Sequence, residues 1–385
     1  MNRTILHIVG ARPQFVKYFA LSKASREPGQ GGSSALKNVL VHTGQHYDYS
    51  MSKIFFDELG IEEPAYHLDV GSGPHGEQTA KIIQRVEEIL AKVKPEMVVV
   101  YGDTNSTLGG ALAAVKMGIP ICHVEAGLRS YNKAMPEEIN RVLADHVSSL
   151  LLCPSGTAVA SLQKEGFKSV MESGNLVSID DIERDVRAAS VDMDHPLVAN
   201  VGDVMYDVLL HASSIALRQS TILQKLSLTP KKYDLLTLHR AENTDDPRVF
   251  KEIVQFINSV TRGTTVIFPM HPRTKIIYAK SETKFESNVR IVEPAGYFDL
   301  LALLKNSSLL LTDSGGLQKE AFWLRTQCIT LRNETEWVET LDGGWNTLYK
   351  NFKGISPPSS NQPPVYGDGR AAEKILAILL KLLRA

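Results

Sequence analysis

Polar and charged side chains follow most of the apolar runs that the sequence offers as strands. In open α/β sheets ligands bind outside the carboxyl ends of the strands, so these residues are the candidates for chemistry. In the first half of the chain they are Arg12, Gln45, His46, Asp103, Glu125 and Arg129. In the second half they are His239, Arg240, Glu242, His271, Ser314, Gly315, Gly316 and Glu320. Packing alone does not explain such a concentration, which predicts a polar cleft.

The TDSGG segment predicts an anion site. Gly315 and Gly316 allow the backbone to approach an anion, and the following helix points its free N–H groups at it. A tight strand–helix turn explains the same letters equally well. Glu320 lies further along that helix, within reach of a ribose diol. No GxGxxG follows the first strand and no GxxxxGK[ST] occurs, which disfavours dinucleotide and P-loop chemistry. A nucleoside diphosphate held by this loop, His271 and arginines fits better.

Asp103, Glu125 and Glu137 form a second group of candidates, for proton transfer. A single acid after a strand is as often a helix cap or an ion-pair partner. Three carboxylates in one half, with phosphate-type donors in the other, favour acid/base work on a sugar-like substrate. In MPEEINR, Pro136 begins a helix whose first turn is acidic. Capping explains Glu138, whereas Glu137 could face the substrate, and the spacing does not separate the two.

Metal and serine-nucleophile chemistry find little support in the sequence. HxxEH, HExxH and clustered Cys/His spacings are absent, and arginines close to His239 and His271 would repel a cation. There is also no GxSxG elbow for a serine nucleophile. We therefore expect no metal site.

The elements that position these residues alternate between short apolar runs and amphipathic stretches. Strands are predicted at 5–9, 39–42, 97–101, 119–124, 233–238, 265–270, 289–292, 309–311 and 327–330. Helices are predicted from about residue 15, over 77–93 and over 108–117. Two βα-alternating halves predict an α/β protein with two Rossmann-like, doubly wound domains.

The domain boundaries follow from composition. We predict an N-terminal domain over 1–200, a C-terminal domain over 201–366, and a helix over 367–385 that packs back on the first domain. The acidic stretch 169–197 is interpreted as a surface insertion, and 27–34 (EPGQGGSS) as a flexible loop.

Composition excludes several classes of function. The 385 residues are 43% hydrophobic and 22% charged, which is ordinary for a globular protein. Because the formal net charge is -1, no positive field exists to hold nucleic acid or an anionic membrane. No apolar run approaches the length of a membrane span, and the three scattered cysteines exclude a disulfide scaffold. With no signal-peptide pattern at the start, a cytoplasmic location is predicted.

The motifs taken together resemble a known family. GARPQFVK, TGQHYDYSM, YGDTNSTLGGALAA, HVEAGLRS, MPEEINR, LHRAEN, MHPRT and TDSGGLQKEA occur in the order found in non-hydrolysing UDP-N-acetylglucosamine 2-epimerases. The resemblance covers most of the chain. It implies a GT-B-like pair of Rossmann-type domains with an interdomain active-site cleft, a homodimer, a UDP-sugar substrate and no cofactor.

The resemblance also implies roles for individual residues. Asp103, Glu125, Glu137 and His239 match the catalytic positions, without showing which carboxylate is the acid and which the base. The diphosphate would contact Ser314, Gly315 and Gly316, the ribose Glu320, and the uracil would lie near Tyr297 and Phe298. Further UDP and sugar contacts would come from Arg12, Lys17, Gln45, His46, Arg129, Arg240, Glu242, His271 and Arg332. Activation by substrate at a second site would involve residues 47–51.

The implied reaction is the reversible C2 epimerisation of UDP-N-acetylglucosamine to UDP-N-acetylmannosamine, for surface polysaccharide precursors. The chain departs from the family where TEWVE (335–339) replaces the TERPE of many members. This variant resembles the branch that acts on UDP-2,3-diacetamido-2,3-dideoxy-glucuronate or other modified UDP-HexNAc sugars. A GT-B glycosyltransferase, a hydrolysing epimerase and a non-catalytic nucleotide-sugar sensor would share the UDP cleft, so the sequence leaves these three functions open as well.

Overall fold

A computed structural model describes residues 3–26, 36–45, 60–187, 193–359 and 361–383. The predicted loop 27–34, His46 and the 47–51 region lie outside the described residues. The chain divides into a first unit, Met1–Val208 with Pro364–Ala385, and a second unit, Leu209–Pro363. The boundaries predicted from the sequence are 200/201 and 366/367.

The first unit contains an eight-stranded sheet. Its strands are β1 (Arg3–Val9), β2 (Leu36–His42), β3 (Tyr66–His67), β4 (Met97–Tyr101), β5 (Ile121–Val124), β6 (Leu150–Cys153), β7 (Ser169–Val170) and β8 (Leu197–Asn200). They run parallel in the order β3-β2-β1-β4-β5-β6-β8-β7. Every residue of β4, β5 and β6 is buried, as a parallel sheet covered on both faces requires.

The second unit contains a six-stranded parallel sheet. Its strands are β9 (Tyr233–Thr237), β10 (Thr265–Pro269), β11 (Val289–Val292), β12 (Leu309–Thr312), β13 (Gln327–Thr330) and β14 (Asn346–Leu348). They are arranged in the order β11-β10-β9-β12-β13-β14. The core packs Phe250, Ile253 and Ile257 against the buried side chains of β9, β10 and β12.

Helices connect the strands. In chain order they are α1 (Arg12–Arg26), α2 (His75–Val93), α3 (Asn105–Lys116), α4 (Pro136–Val147), α5 (Gly156–Lys164), α6 (Ile179–Asp185), α7 (Val204–Gln219), α8 (Ile222–Lys225), α9 (Ala241–Thr244), α10 (Pro247–Val260), α11 (Pro272–Lys280), α12 (Tyr297–Asn306), α13 (Gly315–Trp323) and α14 (Ala371–Leu383). Short 3-10 turns occur at Met171–Gly174, Val338–Gly344 and Tyr349–Asn351. Within the described ranges no helix has both the length and the apolar character needed to cross a membrane.

The order in which strands are added follows the same pattern in both sheets. This confirms the predicted α/β class with two Rossmann-like units of GT-B-like type. The chain starts at a central strand, moves outward to one side, then returns to build the other side. The switch lies between β1 and β4 in the first unit and between β9 and β12 in the second. In open α/β sheets, ligands bind outside the carboxyl ends of the strands at such a switch point.

Helix α3 is fixed at its N-terminus, next to the loop that contains Asp103. Thr104 caps the helix through a capping box with Thr107. A Cβ on Gly109 would lie 2.6 Å from Ile82 of α2, and one on Gly110 would lie 2.7 Å from Ile8 of β1. These small residues therefore let α3 pack directly on its neighbours, which fixes the position of the loop between β4 and α3.

The C-terminal segment belongs to the first unit. Helix α14 packs against α1 and α6 there, and Lys381 pairs with Glu183 of α6 at 2.6 Å. The acidic stretch that the sequence suggests as an insertion is therefore part of the fold over its described residues: β7 pairs with β8, and Ile182 is fully buried. Its apolar residues supply the packing that a surface insertion would lack.

Candidate active site

Glu125 lies directly after β5 in a buried ion pair. Its carboxylate accepts a hydrogen bond from Lys17 Nζ at 2.5 Å, and both side chains are 7% exposed. The backbone of Glu125 is left-handed, with φ 74°, a conformation that non-glycine residues adopt rarely and at some cost. Its backbone N–H donates to Leu152 O at 3.0 Å, so the sheet holds this turn. The ion pair and the turn therefore fix the position of this carboxylate.

Asp103 lies directly after the neighbouring strand β4 and is less enclosed. One of its oxygens accepts from Arg141 Nη2 at 2.5 Å, and its side chain is 28% exposed. Arg141 is 3% exposed and also contacts Glu138 at 3.1 Å. Asn140 donates to the backbone carbonyl of Asp103 at 2.9 Å. Helix α4 therefore positions Asp103 through two side chains and leaves part of its carboxylate accessible.

The two glutamates at the start of α4 differ in burial and in hydrogen bonding. Glu138 is buried and accepts hydrogen bonds from the backbone N–H groups of Ser130 and Tyr131, each at 2.9 Å. It therefore braces the preceding loop rather than capping the helix, which has Met135 at its N-cap without a side-chain cap. Glu137 is exposed and makes no ion pair or hydrogen bond with the described residues. Of the two, Glu137 is the acid available to a substrate.

Arg129 is committed to other protein side chains. Its guanidinium binds Asp145 at 2.6 Å and Glu165 through two hydrogen bonds of 2.7 Å, and its side chain is 1% exposed. Burial alone would raise the pKa of Asp145, but His123 and Arg129 outweigh it and lower that pKa. Because Asp145, Glu165 and the carbonyl of Leu128 occupy most of its donors, the substrate contact predicted for Arg129 stays a prediction.

The same network reaches the loop that carries Asp103. His123 lies between Asp145 Oδ1 and the backbone carbonyl of Gly102, each at 2.7 Å. A carbonyl only accepts, so the Nε2 atom of His123 carries a hydrogen. The buried network thereby fixes Gly102, which precedes Asp103.

Gln45 contacts helix α3. Its side-chain oxygen accepts from the backbone N–H and the hydroxyl of Ser106, at 3.0 and 2.7 Å. Thr43 and Ser106 also share a hydrogen bond of 2.8 Å, and a Cβ on Gly10 would collide with both hydroxyls. Three loops thus meet closely at the switch point of the first sheet. Arg12 begins α1 beside them.

In the second unit, His239 follows β9 and faces a buried carboxylate that follows β12. His239 Nδ1 lies 3.3 Å from Asp313 Oδ1, and the two side chains are 47% and 0% exposed. The other oxygen of Asp313 accepts from the backbone N–H groups of His239 and Arg240, at 3.0 and 2.8 Å. The switch point of the second sheet therefore presents a half-exposed imidazole.

A charged cluster lies beside this histidine. Arg240 and Arg332 both approach Glu242, at 3.6 and 3.7 Å, and Arg332 binds Glu336 at 3.0 Å. A Cβ on Gly315 would lie 3.0 Å from Glu336 and 3.8 Å from Arg240. The cluster holds two arginines and two glutamates and adjoins the N-terminus of α13, whose free backbone N–H groups support the binding of an anion.

Helix α13 begins at the predicted anion loop. Ser314 is its N-cap and accepts from the N–H of Leu317 at 3.4 Å. Gly315 and Gly316 occupy the first turn, where backbone N–H groups have no partner within the helix. Further along, Glu320 is buried and accepts from Tyr297 O–H at 3.1 Å, and Phe298 is half-buried beside Tyr297.

His271 caps α11, and its Nδ1 accepts from the N–H of Arg273 at 3.3 Å. In the neutral ring the hydrogen is then on Nε2, which makes that atom a donor suited to a phosphate. In the part of the chain that the structure describes, no three His, Cys, Asp or Glu side chains come together as a metal site requires.

The first unit carries candidate acid/base groups and the second unit carries phosphate-type donors, and comparison with known proteins shows which family has this set of residues. The family model described as UDP-N-acetylglucosamine 2-epimerase matches residues 31–380. The chain belongs to this family.

Individual members of the UDP-N-acetylglucosamine 2-epimerase family align over almost their whole length. A UDP-N-acetylglucosamine 2-epimerase homolog of Methanococcus maripaludis is 43% identical over 98% of this chain and 99% of its own. A UDP-2,3-diacetamido-2,3-dideoxy-D-glucuronate 2-epimerase of Pseudomonas aeruginosa is 41% identical over 98% and 99%. The Methanocaldococcus jannaschii UDP-GlcNAc 2-epimerase, solved with UDP-GlcNAc and UDP, superposes with a TM-score of 0.82 at 37% identity, covering 98% and 99%.

Trp337, which departs from the pattern of many epimerases of this family, is packed into the second unit. It is 4% exposed, and Lys319 Nζ lies 3.5 Å from the centroid of its ring. A Cβ on Gly315 would lie 3.5 Å from the indole Nε1. The indole therefore combines a cation–π contact with a position next to the anion loop.

Sequence reasoning missed the partners that fix the epimerase carboxylates. Arg141 lies in the MPEEINR motif, four residues after Glu137 and so on a nearby part of the helix surface, but nothing in the sequence links it to Asp103. Asp313 lies in TDSGG, where the two glycines draw attention to the loop instead. The roles of Arg141 and Asp313 as partners of Asp103 and His239 become visible only when the folded sheets bring these residues together.

Proposed function

We propose that this epimerase-family chain catalyses the reversible C2 epimerisation of UDP-N-acetylglucosamine to UDP-N-acetylmannosamine. The observation that carries the proposal is the pair of carboxylates at the ends of neighbouring strands, Asp103 after β4 and Glu125 after β5. Each is oriented by a buried cation, Arg141 or Lys17. Such positioning is what proton transfer at a sugar carbon demands.

The proposed mechanism begins with loss of UDP. The C2 hydrogen of the sugar is too weakly acidic for direct removal by a carboxylate. Breaking the C1–O bond sends its electron pair to the diphosphate and builds positive charge at C1, which acidifies C2. A carboxylate then takes the C2 proton and leaves a 2-acetamidoglucal. Re-addition of UDP at C1, with a proton delivered to the opposite face of C2, completes the inversion.

The chain's own residues supply these steps in two groups. Asp103, Glu125 and Glu137 move protons and support positive charge at C1. His239, His271, Arg332 and the Ser314–Gly316 loop stabilise the departing diphosphate. Remaining contacts come from Arg12, Lys17, Gln45, Arg240, Glu242, Tyr297, Phe298 and Glu320, of which Glu320 binds the ribose and Tyr297 and Phe298 adjoin the uracil.

Deuterium incorporation tests the reaction. Incubation with UDP-N-acetylglucosamine in deuterated water should place deuterium at C2 of both sugar products, as measured by NMR and mass spectrometry. Glu125→Gln should abolish this exchange, whereas Glu87→Gln, on the exposed face of α2, should leave it intact. Absence of exchange with every UDP-HexNAc offered would contradict the proposal. Release of free sugar with UDP would instead favour a hydrolysing epimerase, and a strict need for an acceptor would favour a glycosyltransferase.

A modified UDP-HexNAc such as UDP-2,3-diacetamido-2,3-dideoxy-glucuronate is the second candidate substrate. The TEWVE sequence around Trp337, which resembles that branch, favours it, as does the 41% identity to the Pseudomonas aeruginosa relative named for that sugar. The same deuterium assay, run with both sugars at equal concentration, separates the candidates by their relative kcat/KM.

The protein is proposed to be a homodimer in the cytoplasm. Its proposed role is to supply precursors of surface polysaccharides. The three cysteines are free and buried, which suits a reducing compartment. Light scattering should give a particle of twice the 42.5 kDa of one chain. A monomer in the active preparation would contradict the assembly without affecting the proposed chemistry.

A further inference from the structure

Asp313 is a fully buried carboxylate whose two oxygens have different surroundings. Oδ2 accepts hydrogen bonds from the backbone N–H groups of His239 and Arg240 and from Asn243 Nδ2, at 3.0, 2.8 and 3.2 Å. Oδ1 is buried and receives no hydrogen bond from the residues that the structure describes. Three donors are ample for the first oxygen, whereas an unmatched oxygen in the interior is costly unless a nearby group uses it.

The imidazole of His239 is the group that faces this second oxygen. Its Nδ1 lies 3.3 Å from Asp313 Oδ1, slightly beyond an ordinary hydrogen bond, so a small ring rotation closes the contact. The histidine side chain is 47% exposed, so its Nε2 edge remains accessible. The backbone fixes this arrangement, because Asp313 Oδ2 accepts a hydrogen bond from the backbone N–H of His239 and β9 pairs directly with β12.

We propose that Asp313 is a positioning residue for His239: it holds the hydrogen of the imidazole on Nδ1 and presents Nε2 to the substrate. An ionised carboxylate only accepts hydrogen bonds, so the ring nitrogen that faces it must be the donor. The consequence for catalysis rests on the function proposed above: with one hydrogen held on Nδ1, Nε2 takes up a second proton, and the resulting imidazolium donates its Nε2–H to the departing diphosphate. The orientation of the ring is independent of that function.

Asp313→Asn tests the proposal because it keeps the shape of the side chain and replaces one acceptor oxygen by a donor NH₂ group. The amide oxygen takes the Oδ2 place, since three N–H groups there require an acceptor. The amide NH₂ then stands at the Oδ1 place and faces Nδ1 of His239. Two donors cannot face each other, so the imidazole hydrogen moves to Nε2. The ring can then no longer carry hydrogens on both nitrogens, and the positively charged form that donates to the diphosphate is lost. A substitution of this kind in a serine-protease triad lowers kcat by about 10⁴ through the wrong tautomer.

The first measurement is the tautomer itself, read from ¹H–¹⁵N spectra of histidine-labelled full-length protein at a pH where His239 is neutral. The signal is assigned by its loss in His239→Gln. The wild type should show the Nδ1–H form and Asp313→Asn the Nε2–H form. The same tautomer in both proteins, or an Nε2–H ring in the wild type, would overturn the proposal.

The second measurement separates positioning from folding. Asp313→Asn should lower kcat by roughly 10²–10⁴ while KM stays within about threefold. Asn243→Ala removes one donor from Oδ2 and leaves Oδ1 untouched, so it should keep the Nδ1–H tautomer and most of the turnover. An equal loss in Asn243→Ala would show that Asp313 acts only through the loop. If the wild type turns over no UDP-sugar, the proposed function fails, and the tautomer spectra still decide the role of Asp313.

Discussion

At the scale of single residues, the first unit holds its two carboxylates with cations that differ in burial and partners. The Lys17–Glu125 pair is closed off from solvent on both sides, whereas Asp103 keeps an accessible face. Removing one member of a buried pair typically costs about 3–5 kcal/mol, because the other charge is left uncompensated. Substitution of Lys17 would therefore lower stability and activity together, and the two effects could not be separated. A substitution at Gly102 should shift the Lys17–Glu125 pair without removing either charge.

Gly102→Ala should lower kcat by up to about tenfold through displacement of this pair. An added Cβ would lie 3.0 Å from Lys17 Nζ and 3.3 Å from Glu125 Oε1, so both groups must shift. Misplacement of a catalytic group by about 1 Å costs about 10²-fold, and the shift required here is only a few tenths of an ångström, so a smaller loss is expected. The backbone at Gly102 has φ 60°, which adds a strain of about 1–2 kcal/mol for alanine. Steady-state kinetics and thermal melting measure the two effects.

Gly118→Ala is the matched control for backbone strain. Gly118 has a similar φ of 68°, but an added Cβ would meet nothing within 4 Å. Both variants should lose similar stability, and only Gly102→Ala should lose turnover. Equal kcat values in the two variants would show that the Lys17–Glu125 geometry does not limit the reaction.

The sequence identifies Asp103 and Glu125 but not the cations that hold them. Lys17 is 108 residues from Glu125, and Arg141 is 38 residues from Asp103. Such pairings exist only after the sheet has formed, so no local pattern encodes them. Arg129 illustrates the same limit, since an arginine after a strand has the same letter whether it binds a phosphate or buries itself between Asp145 and Glu165.

At the scale of elements, apolar runs predicted the long strands because buried parallel strands are apolar on both faces. The edge strands Tyr66–His67, Ser169–Val170 and Asn346–Leu348 contain two or three residues, too few to show a period. Leu150–Cys153 carries the apolar signal, but four residues do not distinguish a strand from a buried helix turn. Strand order, which creates the two switch points, is a property of packing that no single segment contains.

The N-terminus of α13 makes a prediction in which stability and affinity change in opposite directions. In Gly316→Ala the added Cβ would lie 4.0 Å from Ser314 Oγ, its nearest neighbour, so the fold accepts it. Alanine is a better helix former by about 1 kcal/mol, so the melting temperature should hold or rise. The methyl group would, however, stand where a diphosphate approaches the backbone, and we expect UDP affinity to fall by about tenfold in calorimetry.

Gly76→Ala provides the comparison for this helix position. Gly76 is likewise the second residue of a helix, α2, and an added Cβ would meet nothing within 4 Å. Its melting temperature should change as in Gly316→Ala, with UDP affinity unaltered. Unchanged UDP binding in Gly316→Ala would place the diphosphate elsewhere.

Asp207 links the N-terminus of α14 to the first unit and makes the stability depend on pH. Its carboxylate accepts from the N–H groups of Ala371 and Ala372, at 3.2 and 2.7 Å. Burial raises the pKa of Asp207 to about 6, and the nearby Asp203 and Asp368 act in the same direction. The folded carboxyl thus binds its proton more tightly than the unfolded one. Between about pH 4 and 6 the folded state holds more protons, so stability falls as pH rises through this window.

The expected size of this effect is up to about 3 kcal/mol. The melting temperature of the wild type relative to Asp207→Asn should therefore fall between pH 4 and pH 7. Asp181, whose pKa Ser178 lowers by hydrogen bonding, should give the opposite trend when replaced by Asn. Its contribution is present at neutral pH and is lost as the solution becomes acidic. Parallel trends in the two variants would contradict the assignment to Asp207.

At the scale of the whole molecule, the chain builds one unit from both of its ends. Residues Pro364–Ala385 return to the unit formed by Met1–Val208, while Leu209–Pro363 forms a separate sheet. The apolar residues of α14, including Ile375 and Ile378, are fully buried. The proposed acid/base residues Asp103, Glu125 and Glu137 lie in the first unit, and the proposed UDP ligands, His239 among them, lie mainly in the second. Chemistry and nucleotide binding should therefore respond to different substitutions.

Two glutamate-to-glutamine changes test this division, because they alter the same chemical group in different units. Glu125→Gln should lower kcat by more than 10³-fold, since it removes a proton acceptor, and should leave the Kd for UDP within about threefold. Glu320→Gln should do the reverse: loss of a charged hydrogen bond to the ribose costs about 1.5–3 kcal/mol, or roughly 10–100-fold in Kd for UDP. Its kcat at saturating substrate should change little. Titration calorimetry with UDP and steady-state kinetics on both variants give the four values, and a Glu125→Gln variant that loses UDP affinity as much as turnover would contradict the separate roles of the two units.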